Sequence, residues 1–162
     1  MELIEAWSEF NVAMVGATAA LAGLVIVAAS VNIGDIIKAD SLTARLAAGI
    51  AGLVLALSGS AVGLIPGLDA AAYGITMIVL AIGAGVFPAQ AARQIYRNRH
   101  PANRLRAGKS VVGFAAPIAY LVGGALLVAQ QPSGLVWFAV GCIIAVIAAL
   151  LISWIVLVEV LR

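Results

Sequence analysis

The sequence predicts an all-α, polytopic transmembrane helical bundle: one integral membrane domain over residues 1–162, five transmembrane helices, N-terminus outside and C-terminus inside. Three observations predict it. Hydrophobic residues make up 64% of the chain and charged residues 10%, whereas soluble domains hold roughly 45–50% and about 25%. The apolar residues run in continuous stretches, each long enough for the roughly 20 residues a helix needs to cross a bilayer core. Basic residues crowd into a few polar breaks, most of them into "ARQIYRNRHPANRLRAGK", residues 92–109.

The helices are expected near 10–33, 46–66, 70–92, 110–130 and 134–160. The start, "MELIEAWSEF", carries Glu2, Glu5 and Glu9 and no basic residue. A secretory signal opens on a basic region, so the first apolar segment is expected to stay as a spanning helix. Ser41 in "KADSLTARL" is a candidate N-cap for the second. "IPGLD" turns the chain between the second and third helices, and "QQPSG" between the fourth and fifth. Pro88 and Pro117 fall inside the third and fourth helices and are candidate kink sites, each freeing a backbone carbonyl. Continuous apolarity excludes a transmembrane barrel, whose strands alternate over about ten residues.

Orientation follows from charge. With residues 93–109 in the cytoplasm, all nine basic residues fall on that side, including Lys38, Arg45 and Arg162. Glu2, Glu5, Glu9 and Asp69 fall on the other. This is the partition the positive-inside rule requires. Aromatic residues fit the same scheme, with Trp7, Tyr73 and Trp137 at the outer interface and Tyr96 and Trp154 at the inner one. The basic segment therefore reads first as an orientation signal. Arg97, Arg99, Arg104 and Arg106 are also candidate contacts for anionic lipids of the cytoplasmic leaflet. With one aromatic and no folded platform, the segment is not expected to bind nucleic acid.

Residues that carry chemistry are scarce. His100 is the only histidine and Cys142 the only cysteine, and no HExxH occurs. No catalytic, cofactor-binding or metal-ligating set is expected, and Cys142 reads as a buried structural thiol. Coupled transport places ionisable groups deep in the spans; here the helix centres are uncharged. Small residues are the stronger pattern. Ala13, Gly16, Ala20 and Gly23 form a stripe on the first helix, extended outward by Glu9. Gly59 and Gly63 repeat a GxxxG spacing on the second, and Cys142, Ala145, Ala149 and Ser153 share a face of the fifth. Such stripes let helix backbones approach closely. They are expected to pack the five helices together, with contact between subunits as the alternative. Asn11, Asn32, Ser58 and Ser60 are expected to hydrogen-bond between helices. Glu9 and Asn11 together are a candidate polar site at the outer mouth.

Several segments carry a family resemblance: "AWSEF" (6–10), "VGATAALAGLVIVAASVNI" (15–33), "LIPG" (64–67), "GLVWF" (134–138) and "SWIVLVEVLR" (153–162). With these the chain resembles a family of small bacterial five-helix inner-membrane proteins, some labelled as modulators of an FtsH-type membrane protease. The resemblance covers both ends and is weak over 68–133. Where that family often has Gln after the Pro-Gly turn, Leu68 stands here. It implies a bacterial plasma-membrane location and brings no catalytic or binding residues. The expected function is that of a non-enzymatic membrane protein acting through helix–helix contacts, as a homo-oligomer or as a modulator of another membrane protein. The alternative is an oligomeric ion channel or small transporter.

Overall fold

The computed structural model describes residues 2–37, 40–97 and 106–160, and the described residues are helical apart from the connecting turns. A single turn, α1 (Glu2–Glu5), precedes α2 (Ser8–Val31); a second short turn, α3 (Ile33–Ile36), precedes α4 (Asp40–Val62). The remaining helices are α5 (Ala70–Arg97), α6 (Arg106–Val128) and α7 (Gly134–Val160). Four segments are long and apolar enough to cross a membrane: Ser8–Val31, Leu42–Val62, Ala70–Gln94 and Gly134–Trp154. A shorter apolar segment, Val112–Val128, lies in α6.

The helix bounds follow local chemistry. α4 stops at Val62 because Pro66 and Gly67 turn the chain, with Gly67 at φ 72° in the left-handed region that glycine occupies without steric cost. Asp69 then caps α5, its carboxylate accepting from the N–H groups of Ala71 (3.0 Å) and Ala72 (3.2 Å). α6 ends in a Schellman turn. The N–H of Gln131 donates to the Leu126 carbonyl at 2.8 Å, that of Gln130 to Leu127 at 3.0 Å, and Gln130 sits at φ 59°. Ser41 lies inside the first turn of α4, which begins one residue earlier, so it is not the N-cap expected from sequence.

Helices α4, α5, α6 and α7 form the core of the bundle, each packed on its chain neighbour and α4 closing against α7. α2 packs mainly along α4. The short turns 63–69 and 129–133 and the start of α2 lie together at one end, here the turn end. The opposite end carries the helix termini that flank the basic segment. Two apolar clusters fill the interior. One, at the turn end, holds Ile4, Leu55, Tyr73, Met77, Tyr120, Leu127, Phe138 and Cys142. The other joins α2, α3, α4 and α7 through Val25, Ile36, Leu46, Leu53 and Ala149.

Candidate functional site

Three expected packing stripes meet different fates. On α4, Gly59 and Gly63 are buried and in tight contact. A Cβ on Gly59 would lie 2.9 Å from Tyr120, and one on Gly63 2.6 Å from the Asn11 amide nitrogen. On α7, Cys142, Ala145 and Ala149 are also buried. On α2 the stripe points away from the bundle. Ala13, Gly16, Ala20 and Gly23 are exposed, and nothing lies within 4 Å of a Cβ built on either glycine. α2 turns Asn11, Thr18 and Val25 inward instead. These four residues therefore do not pack the helices of one chain together, which corrects that expectation. Glu9 is exposed and Asn11 buried. Two residues apart on a helix means about 200° of rotation, so the two do not form one site.

What the fold does assemble is a polar pocket at the turn end, to which all five long helices contribute. Trp7, just before α2, lines it, with Phe10 and Asn11 of α2 and Gly59 and Ser60 of α4. Tyr73 of α5, Tyr120 of α6, and Leu135, Phe138 and Cys142 of α7 complete the wall. The cavity is about 10 Å³, near the smallest volume that holds one water. Tyr120 and Cys142 share a hydrogen bond of 2.8 Å, and the Ser60 hydroxyl lies 3.7 Å from the same sulfur. Tyr73 donates to the Gly59 carbonyl at 3.1 Å. Phe138 stacks edge-on against Tyr73, with ring centroids 5.0 Å apart, and lies 5.5 Å from Tyr120. Every polar group named here is uncharged. They can donate and accept hydrogen bonds, but no charged acid–base pair stands among them.

Sequence reading placed Tyr73 in an interfacial belt; it is 2% exposed and belongs to the core. Tyr120 carried no signal. Of the expected interhelical hydrogen-bonders, Ser60 reaches α7 through Cys142. Asn32 instead donates within its own stretch, to the Ala28 carbonyl at 3.0 Å. Beside the pocket lies a groove of about 190 Å³, between Glu5 and Ser8 on one side and residues 63–68 on the other.

Pro88 also meets the helix that Pro117 interrupts. Pro88 and Pro117 are both buried. The Pro88 ring packs on Gly113 of α6, 3.1 Å from where a Cβ would stand. Gly113 is four residues before Pro117, so its carbonyl is the one Pro117 leaves without an N–H partner. At the basic end, Arg97 closes α5 and Arg106 opens α6; their side chains, and Arg99 and Arg104, lie outside the described residues. Among the described residues, no three His, Cys, Asp or Glu side chains gather as a metal site would need. Protein-family models, characterised proteins and solved structures give no match to this chain.

Proposed function

We propose that this chain is a non-enzymatic, multi-pass protein of a bacterial inner membrane that acts by docking α2 against a further transmembrane helix. That helix belongs to a second copy of the chain or to another membrane protein whose activity it modulates. In this reading α6 is the fifth span, the turn end faces outward, and the basic segment meets anionic lipids on the cytoplasmic side. The all-basic partition of the sequence supports the orientation.

One observation carries the functional reading. Of the 24 residues of α2 only Asn11, Thr18 and Val25 are buried, and the surface left open holds the stripe Ala13, Gly16, Ala20 and Gly23 beside the exposed Val12, Leu24 and Val27. In lipid, helices do not associate by hiding apolar surface, because the acyl chains are equally apolar; they associate where small residues permit close van der Waals contact. α2 turns Phe10, Met14 and Leu21 toward its own bundle and leaves the small-residue stripe free for a partner.

Single-molecule subunit counting in nanodiscs tests it. Wild type is expected as an oligomer, or as a complex once its partner is present, and Gly16→Leu and Gly23→Leu as monomers of unchanged thermal stability. Oligomers or complexes that survive both substitutions would sink the proposal. Cation current in planar bilayers that falls on Glu9→Gln would put the channel reading in its place.

A further inference from the structure

Most buried polar side chains in this molecule have partners. Thr18 donates to the Met14 carbonyl at 2.6 Å, Tyr73 to Gly59 at 3.1 Å, and Ser60 and Tyr120 converge on Cys142. The exceptions among the described residues are Gln94 Oε1 and Ser153 Oγ, which are buried without a partner, and Asn11. Its side chain is 5% exposed and borders the pocket, yet it makes no hydrogen bond to any described residue. A primary amide brings two N–H donors and a two-lone-pair oxygen. Facing a small cavity without a partner from the chain, such a group calls for something that bonds it there.

The surroundings define that something. The free volume, about 10 Å³, admits one water-sized group. Tyr73 spends its hydrogen on Gly59 and keeps its oxygen lone pairs. A ligand between Asn11 and Tyr73 must therefore accept from the amide N–H and donate to the phenol or amide oxygen. Among the described residues, no Lys, Arg, Asp, Glu or His lines the pocket, so an ion would find no countercharge there. Apolar rings of Trp7, Phe10 and Phe138 close the rest. The way in is marked by Gly63. It borders the neighbouring groove, and a Cβ on it would stand 2.6 Å from the Asn11 amide nitrogen and 2.8 Å from the Tyr73 hydroxyl. A side chain there would occupy the space between groove and amide.

We propose that the pocket is a binding site for one neutral hydroxyl group, held by Asn11 and Tyr73 and reached past Gly63 from the groove at the turn end. Two sources share this chemistry. One is a resident water; the other is the hydroxyl of an uncharged amphiphile whose body lies in the groove.

Solid-state NMR on the full chain in nanodiscs tests the site, reading magnetisation transfer to the Asn11 amide nitrogen. The signal is assigned by its loss in Asn11→Leu. Wild type is expected to show rapid transfer from water. If that transfer survives saturation with 1-decanol, the resident is water. If decanol abolishes it and shifts the Asn11 signal while decane does not, the hydroxyl of an amphiphile binds there. Gly63→Ala is expected to remove the transfer and the decanol shift while leaving the α6 and α7 signals in place. No transfer from either source in wild type would overturn the proposal, as would an Asn11 amide bonded to a carbonyl of the chain. Neither result depends on a variant folding.

Discussion

The two halves of this bundle use glycine in opposite ways. At the turn end the helix glycines are points of close contact. Gly74 on α5 and Gly124 on α6 face each other, and a Cβ on either would lie 2.7 Å from the carbonyl oxygen of the other. Gly123 and Gly134 repeat the arrangement between α6 and α7, at 2.8 and 2.5 Å, and a Cβ on Gly141 would stand 2.6 Å from the Tyr120 ring. Towards the middle and the basic end the contacts open, apart from Gly113, where a Cβ would stand 3.1 Å from Pro88. Gly49 would meet only the Ile152 side chain, at 3.5 Å, and Gly52 only Ala145, at 3.9 Å. Gly83 and Gly85 have nothing within 4 Å. The difference shows that small residues alone do not define a packing surface. What defines it is a packed group, backbone or side chain, on the other side.

The largest effect expected from this contrast is at Gly124. Gly124→Ala forces the Gly74 carbonyl and Ile78 to move, an overpacking that costs about 2 kcal/mol. Gly49→Ala adds an ordinary contact and gains helix propensity of up to about 1 kcal/mol, so it should be neutral or slightly stabilising. Unfolding midpoints in a denaturing-detergent titration compare the two directly. Equal midpoints would remove the distinction between the halves.

A smaller effect tests whether the turn end is held by its caps as well as by its glycines. Asp69→Ala leaves the Ala71 and Ala72 N–H groups without the carboxylate and should cost about 1 kcal/mol. Asp69→Asn keeps an oxygen acceptor at the same place and should recover most of it. Loss of stability in the asparagine variant as well would mean that Asp69 acts through its charge.

How much of this was legible in the sequence depends on where the physics is local. Apolar run length gave the long helices, and Pro66, Gly67 and Pro132 gave the turns, because those signals need no partner. The rotation of α2 did not follow, since that helix is apolar all round and carries no polar face to set against an apolar one. Its small-residue stripe therefore looked like an inner face. The pocket was hidden for another reason. Tyr73, Tyr120 and Cys142 stand on three helices, 47 and 22 residues apart, and only helix packing makes them neighbours. The pair Gly123–Gly124 did hold a signal. Adjacent residues point about 100° apart on a helix, so two glycines in a row can serve two different neighbours, here α7 and α5.

The smallest prediction separates backbone strain from packing at the same end of the molecule. Gln130 and Gly67 both hold a left-handed backbone, at φ 59° and 72°, each in a turn that joins two core helices. For a residue with a side chain that conformation costs roughly 1–2 kcal/mol, so Gln130 carries a cost that Gly67 avoids. Gln130→Gly removes it, while the greater freedom of glycine in the unfolded chain takes back about 0.5–1 kcal/mol. The net gain should be about 0.5 kcal/mol. Gly67→Ala introduces the same cost and, with nothing within 4 Å of the new Cβ, adds no clash. With the glycine entropy now counting in its favour, it should lose about 0.5 kcal/mol. Opposite signs in the same titration identify the backbone as the cause, because neither change alters a packed contact. If Gln130→Gly instead lowered the midpoint, the Gln130 side chain would be contributing a contact of its own, and the tightness of the turn end would extend beyond its glycines.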